Sequence, residues 1–170
     1  GVAPVRFSGL IWPRAAEYLA ATAKEANIPF CLSAMATSSI EKIGAIAGEH
    51  AWFQLYPLAD HGHEKELLDR AKAAGFSALL VTVDTPTTRR GLREIKNGMT
   101  VPPKLSLNNL SRIALNPSWA LATLAAGPPR FESLLPYFPA GANYASVSEM
   151  ISGLLARMIG WPEIEALRKH

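Results

Sequence analysis

The sequence predicts an α/β fold in which about four βα units follow one another as part of a closed parallel barrel. Short apolar strands alternate with helical patterns, the strand ends recur about every 25 residues, and no strand is followed by a glycine-rich dinucleotide-binding turn. Strands that are apolar throughout are typical of a parallel sheet covered on both faces. Even spacing without the glycine-rich turn favours a closed barrel over a doubly wound sheet.

The individual elements follow from apolar runs and capping signals. Apolar strands are predicted at 2–3, 29–33, 51–56 and 77–83. Helices are predicted at 13–27, 39–47 and 64–74. Pro13 suits a helical first turn, Ser38 and Glu41 have capping-box spacing, and Gly75 is a typical helix stop. We therefore expect strand ends near Pro4, Ser33, Tyr56 and Val83.

The regular alternation of predicted strands and helices ends after the fourth strand. A proline-rich segment follows, in which Asn116-Pro117 predicts the start of a short helix, and the next clear helix begins at Trp161-Pro162. Connections of this length are usually functional or mobile. We therefore treat 1–170 as one partial barrel domain, with strands and helices over 1–86, a long excursion over 87–160 and the start of the next barrel helix over 161–170.

Composition excludes several functional classes. Of the 170 residues, 49% are hydrophobic and 18% charged, so the chain can build a core, and no apolar run approaches the roughly 20 residues that cross a bilayer. The net charge of +3 is modest, and no aromatic residues interleave with the basic run over 89–104, so no nucleic-acid partner is predicted. The single cysteine, Cys31, fits a core position and a reducing compartment. His61-Gly-His63 lacks a third ligand, so we predict solvated histidines and no metal.

Polar residues cluster where the predicted strands end. In parallel barrels the active site lies at the carboxyl ends of the strands. The candidates by position are the turn Pro4-Val5-Arg6, and then Ser33, Gln54, Tyr56, Thr82 and Asp84. Residues two apart on a strand share a face, so these side chains form rows at one barrel mouth. They could simply satisfy one another as an internal polar layer, or they could bind a ligand rich in donors and acceptors, such as the edge of a heterocycle.

Four motifs in order give the chain a resemblance to a known family. They are Leu32-Ser33-Ala-Met-Ala-Thr-Ser-Ser39, Trp52-Phe-Gln-Leu-Tyr56, Val81-Thr-Val-Asp-Thr-Pro86 and Ile95-Lys-Asn-Gly-Met99. Together they resemble the FMN-dependent 2-hydroxy-acid dehydrogenase/oxidase family, which includes glycolate oxidase, lactate dehydrogenase and mandelate dehydrogenase. Leu10-Ile-Trp-Pro13 and Asn116-Pro-Ser-Trp119 are most similar to the mandelate/lactate branch. The resemblance implies a (β/α)8 TIM barrel with FMN as cofactor, of which this chain supplies the amino-terminal half.

The resemblance also implies roles for the candidate residues. The main chain of Pro4, Val5 and Arg6 would run along the flavin. The side chains of Ser33, Gln54 and Thr82 would form hydrogen bonds with the polar edge of the flavin ring. Tyr56 would face the substrate, and Asp84 would pair with a histidine base on the other half of the barrel. The family's lysine near the flavin, its histidine base and a substrate-carboxylate arginine have no counterpart in these residues.

Two positions depart from the family pattern. Arg6 stands in a turn where the family has small residues, so its bulk or charge could disturb the flavin. Gly91 stands where the family has an arginine that binds the substrate carboxylate. A loop shift could bring Arg90 into that place, so Arg90 is the candidate substrate-binding residue.

The implied reaction oxidises a small L-2-hydroxy acid of the lactate, mandelate or glycolate type to the 2-oxo acid, with oxygen, a quinone or a cytochrome as electron acceptor. The expected protein partner is the other half of the barrel or a second copy. The leucine-rich segment 105–137 could cover the barrel mouth or contact a membrane. We therefore expect a cytoplasmic protein, possibly bound peripherally to the inner face of the membrane. A degenerate, non-catalytic binding or assembly barrel and an unrelated phosphate-binding barrel are the alternatives.

Overall fold

The strands lie side by side in chain order. The computed structural model describes residues 1–83, 107–138 and 159–169. Val2 makes a parallel bridge to Phe30 and is followed across the sheet by β1 (Phe30–Ser33), β2 (Ala51–Leu55) and β3 (Ala78–Val81), all parallel. A doubly wound sheet reverses its strand order at a switch point, and this order does not reverse. The predicted parallel arrangement in chain order is therefore confirmed for the described strands.

Helices follow the strands and cover the sheet. The helices that alternate with strands are α1 (Ser8–Ile11), α2 (Ala15–Glu25), α3 (Ile40–Ala47) and α4 (His61–Ala73). The later ones are α5 (Leu107–Ala114), α6 (Pro117–Ala126) and α7 (Trp161–Lys169), and Gly48–His50 and Leu135–Tyr137 form single 3-10 turns. The predicted short helix after Asn116 is thus present as α6. Along the barrel wall α2 packs on α3, and α3 packs on α4.

Some predicted helix boundaries were wrong. Pro13 does not lie in the first turn of a helix. It lies in the turn between α1, which ends at Ile11, and α2, whose N-cap residue is Arg14. Ser39, not Ser38, caps α3: its backbone is extended and its Oγ accepts the Lys42 N–H at 3.2 Å. Helix α4 begins three residues earlier than predicted, because the Asp60 side chain accepts two N–H groups of its first turn.

The core lies between the sheet and these helices. Leu32 and Phe53 of the sheet and Ile43 of α3 are each at most 1% exposed. Burial of each such side chain stabilises the fold by about 1.5–3 kcal/mol. The expected core position of Cys31 is confirmed, since it is buried in β1, and burial raises the pKa of its thiol to about 11.

Helices α3 and α4 meet closely at Gly44, which predicts a strong effect of the smallest substitution. A Cβ at position 44 would lie 2.8 Å from the Ala74 Cβ and would also overlap the Ala74 carbonyl oxygen. Because the overlap involves backbone, relief requires the helices to move apart. We expect Gly44→Ala to lower the free energy of unfolding by about 1–3 kcal/mol, measured as a shift of the urea midpoint.

The control for this prediction is Ala45→Ser, at an exposed position of the same helix. An exposed substitution of this kind should change stability by less than about 0.5 kcal/mol. Equal midpoints for the two variants would contradict the close contact.

Candidate functional site

Three polar side chains form a continuous chain of hydrogen bonds across the strand ends. The Ser33 hydroxyl donates to Gln54 Oε1 at 2.7 Å, and Gln54 Nε2 donates to Thr82 Oγ1 at 2.6 Å. The Met35 N–H donates to Ser33 Oγ at 3.2 Å. Ser33 is 1% and Gln54 6% exposed, whereas Thr82 is half-buried. We call Ser33, Gln54 and Thr82 the strand-end relay.

The register of the sheet explains why these residues meet. Ser33 is the partner of Gln54, and Gln54 is the partner of Leu80, so Thr82 lies one pleat further along the same face. Main-chain bonds continue past the assigned strands: Ala34 N donates to Gln54 O at 2.8 Å, and Thr82 N donates to Leu55 O at 3.0 Å. The relay therefore stands on a rigid part of the sheet.

The turn after the Val2 bridge contributes the candidates Pro4, Val5 and Arg6. Pro4 is half-buried, whereas Val5 and Arg6 are exposed, so the Arg6 side chain is not packed into the protein interior. The next residue, Phe7, has a φ of 53° in the left-handed region. Its N–H donates to the Met35 carbonyl at 3.1 Å, which ties this turn to the loop after β1.

The remaining candidates are less closely defined. Tyr56 follows β2, is half-buried and packs against the core. Asp84 and Arg90 lie outside the described residues, so their roles stay predictions. The structure thus brings Ser33, Gln54 and Thr82 into direct contact, and the part each candidate plays in binding a ligand remains a prediction as well.

Sequence reasoning missed a set of contacts at the rim of the barrel. Phe131, Ser133 and Leu134 are at most 4% exposed, although they lie about 50 residues beyond β3. Their partners include Phe7 and Ser38 in the first two βα loops and Arg70 of α4, and the Ser133–Ser38 pair is 95 residues apart in the chain. The only local signal is a short apolar group in a proline-rich stretch, which does not specify what it packs against.

The two histidines of the His61-Gly-His63 motif differ in their surroundings. His61 is exposed at the start of α4, as predicted. The His63 side chain is 40% exposed, so it is also solvent-accessible, and its ring lies 4.7 Å from the Tyr137 ring, a contact that the sequence did not predict. The reason is the return of the chain near Tyr137 to this helix. Within residues 1–83, 107–138 and 159–169, no three His, Cys, Asp or Glu side chains are placed to hold one metal ion.

Sequence comparisons show the family to which this chain is related. The family model for FMN-dependent dehydrogenase matches residues 1–170. The L-lactate dehydrogenase of Pseudomonas syringae pv. syringae is 32% identical over 172 residues, which cover 99% of this chain and 44% of that protein. The 2-hydroxyacid oxidase 2 of Rattus norvegicus is 36% identical over 110 residues, covering 64% of this chain and 31% of that protein.

Solved structures agree on the fold. The monotopic membrane protein (S)-mandelate dehydrogenase superposes with a TM-score of 0.87 at 24% identity, covering 99% of this chain and 44% of that one. Mandelate oxidase with (S)-2-phenylpropionate gives a TM-score of 0.56 at 37% identity over 60% of this chain and 30% of that one. The chain thus spans less than half the length of these relatives. It belongs to the FMN-dependent dehydrogenase family, which excludes an unrelated phosphate-binding barrel, and its fold is part of that family's (β/α)8 barrel.

Proposed function

We propose that this chain supplies the flavin-edge half of an FMN-dependent enzyme that oxidises a small L-2-hydroxy acid to the 2-oxo acid. The observation that carries the proposal is the strand-end relay, which presents buried polar groups at the carboxyl ends of three neighbouring strands. Active sites of parallel barrels lie at this end of the strands. Family membership supplies the cofactor class.

The donor set of the relay fits the edge of a flavin ring, which carries carbonyl oxygens and a ring N–H. The Gln54 amide has two N–H donors, of which one is used for Thr82, and its Oε1 has a second lone pair. Thr82 accepts from Gln54 and keeps its own O–H for donation. Among the described residues, one Gln54 N–H and the Thr82 O–H therefore remain as donors, and one lone pair each on Gln54 Oε1 and Thr82 Oγ1 as acceptors, for a ligand.

The candidate residues of this chain would bind the cofactor and substrate and orient the reacting groups. When bound, FMN supplies the two-electron acceptor for the hydroxy acid. Tyr56, which shares the strand face of Gln54, would orient the substrate, and Arg90 would bind its carboxylate. Asp84 would hold the N–H of a histidine on the other half of the barrel, so that the opposite ring nitrogen accepts the substrate proton.

The test uses a chimeric barrel, in which this chain replaces the matching residues of the Pseudomonas syringae L-lactate dehydrogenase. We expect a yellow protein that binds FMN and oxidises members of a panel of L-2-hydroxy acids. A chimera that is folded but stays colourless with added FMN would contradict the proposal.

A non-catalytic binding barrel is the second candidate, because Arg6 and Gly91 depart from the family pattern. The chimera separates the two candidates: FMN binding without turnover on any substrate of the panel favours the non-catalytic barrel. Restoration of turnover by Gly91→Arg would assign the defect to the substrate-carboxylate position.

We further propose that the segment 105–137 contacts the surface of an anionic membrane on the inner face of the cell membrane. Leu115 is 80%, Leu121 68% and Leu124 79% exposed on and beside α5 and α6. Between Leu105 and Phe131 the sequence has two arginines and no acidic residue. No helix among the described residues has the length and apolar character to span a bilayer. The contact proposed here is peripheral, through the exposed leucines on and beside α5 and α6.

If this surface binds membranes, the amount of protein that sediments with lipid vesicles should depend on the lipid headgroup. We expect the chimera to co-sediment with vesicles that contain phosphatidylglycerol and to bind less to pure phosphatidylcholine vesicles, since the exposed arginines attract anionic headgroups. Leu121→Ser with Leu124→Ser should reduce the bound fraction severalfold. Ser118→Ala, in the first turn of α6, is the control. Equal sedimentation of the double variant and the parent would contradict the assignment.

A further inference from the structure

A four-residue segment of the excursion is fastened to the barrel rim. We call residues 131–134 the rim strap. Glu132 Oε2 accepts the Ser39 N–H at 3.1 Å and lies 3.3 Å from Lys42 Nζ. Ser133 Oγ donates to the Ser38 carbonyl at 3.3 Å, and the Ser133 carbonyl accepts from Arg70 Nη1 at 2.8 Å. These bonds attach the strap to the amino-terminal end of α3 and to Arg70 of α4.

An aromatic contact of the strap connects it to the Pro4-Val5-Arg6 turn. The rings of Phe131 and Phe7 meet edge to face, with centroids 3.9 Å apart and an interplanar angle of 79°. Phe131 is 4% exposed. Phe7 directly follows the Pro4-Val5-Arg6 turn, so the strap packs against the end of the main-chain stretch proposed to run along the flavin.

Phe7 needs such support because of its backbone. Its φ of 53° is uncommon for a residue other than glycine, and such conformations persist where the surrounding structure holds them. It is held by the Phe131 ring, by the 3.1 Å bond from its N–H to the Met35 carbonyl, and by the 2.9 Å bond that its own carbonyl accepts from the Leu10 N–H. The Met35 N–H in turn donates to Ser33 Oγ of the strand-end relay. The strap is therefore linked through Phe7 to both parts of the candidate flavin site.

We infer that Phe131 is a positioning residue for the cofactor, which holds Phe7 in its left-handed conformation and so keeps the Pro4–Arg6 main chain in place against the flavin. The inference rests on the proposed function. It assigns to the excursion a part in cofactor binding that is separate from its exposed leucines. Phe131 itself is not expected to touch the flavin.

The test measures FMN affinity of the apo-chimera by fluorescence titration, with the folded fraction checked by circular dichroism. Phe131→Ala should weaken FMN binding about tenfold, which corresponds to ~1.4 kcal/mol, and Phe131→Leu should restore most of the affinity. Leu124→Ala, at an exposed position of the same excursion, is the matched control and should bind FMN like the parent.

A double-mutant cycle separates positioning from general stabilisation. Glycine adopts a positive φ without steric strain, so Phe7→Gly removes the need for the aromatic contact. We expect Phe131→Ala to cost no further affinity in the Phe7→Gly background. An equal loss in both backgrounds, or lowered stability with unchanged FMN affinity, would overturn the inference while the proposed function stands. A parent chimera that binds no FMN would overturn both.

Discussion

Replacement of Gln54 by leucine will weaken FMN binding of the chimeric barrel about 100-fold, or ~2.7 kcal/mol. Gln54 is the central member of the strand-end relay, with Ser33 on one side and Thr82 on the other. Leucine removes both bonds and leaves two hydroxyls without their partner. The Ser33 hydroxyl is buried, and a buried polar group left without its partner costs about 1–3 kcal/mol, so the apoprotein should also lose stability.

Thr82→Val is the matched variant for this prediction. Valine keeps the shape of threonine and the Ser33–Gln54 bond, and it removes only the last link of the relay. We expect about a tenfold loss of affinity, in keeping with one hydrogen bond of about 0.5–1.5 kcal/mol. FMN titrations that give the parent affinity for Gln54→Leu would show that the relay is only an internal polar layer.

The 170-residue chain by itself will associate rather than behave as a monomer. Among the described residues, β3 pairs only with β2, so within this part of the chain its other edge has no strand partner. Leu79 is 37% and Val83 66% exposed beside this edge. Unpaired apolar edges template pairing with another chain. Sedimentation velocity should therefore show dimers or larger species that grow with concentration.

Leu79→Lys provides the variant for this prediction, because a charged side chain on an edge strand opposes pairing. It should shift the distribution toward monomer, whereas Leu121→Lys on the exposed surface of α6 should leave association through β3 unchanged. A monodisperse parent chain with a single cooperative unfolding transition would contradict the open edge.

Much of the fold could be predicted because its signals are local. The three longer apolar runs form β1, β2 and β3, whereas the run at 2–3 forms only an isolated parallel bridge at Val2. The positions of Gln54 and Thr82 follow from the alternation of side chains along a strand. The wrong predictions of secondary structure were at the first residues of helices, where neighbouring residues can each act as the N-cap. Ser38 and Ser39 both suit a cap, and Ser39 takes it while the Ser38 carbonyl binds the rim strap.

The sequence by itself determined the order of parallel strands, the face on which the polar residues stand and the family to which they belong, because periodicity and motif order are properties of neighbouring residues. Only the tertiary structure decided which polar groups satisfy one another across the strand ends. It also decided that Phe131 returns to pack on Phe7. Such contacts join residues far apart in the chain, and they depend on the closure of loops and the curvature of the sheet, which no local pattern encodes.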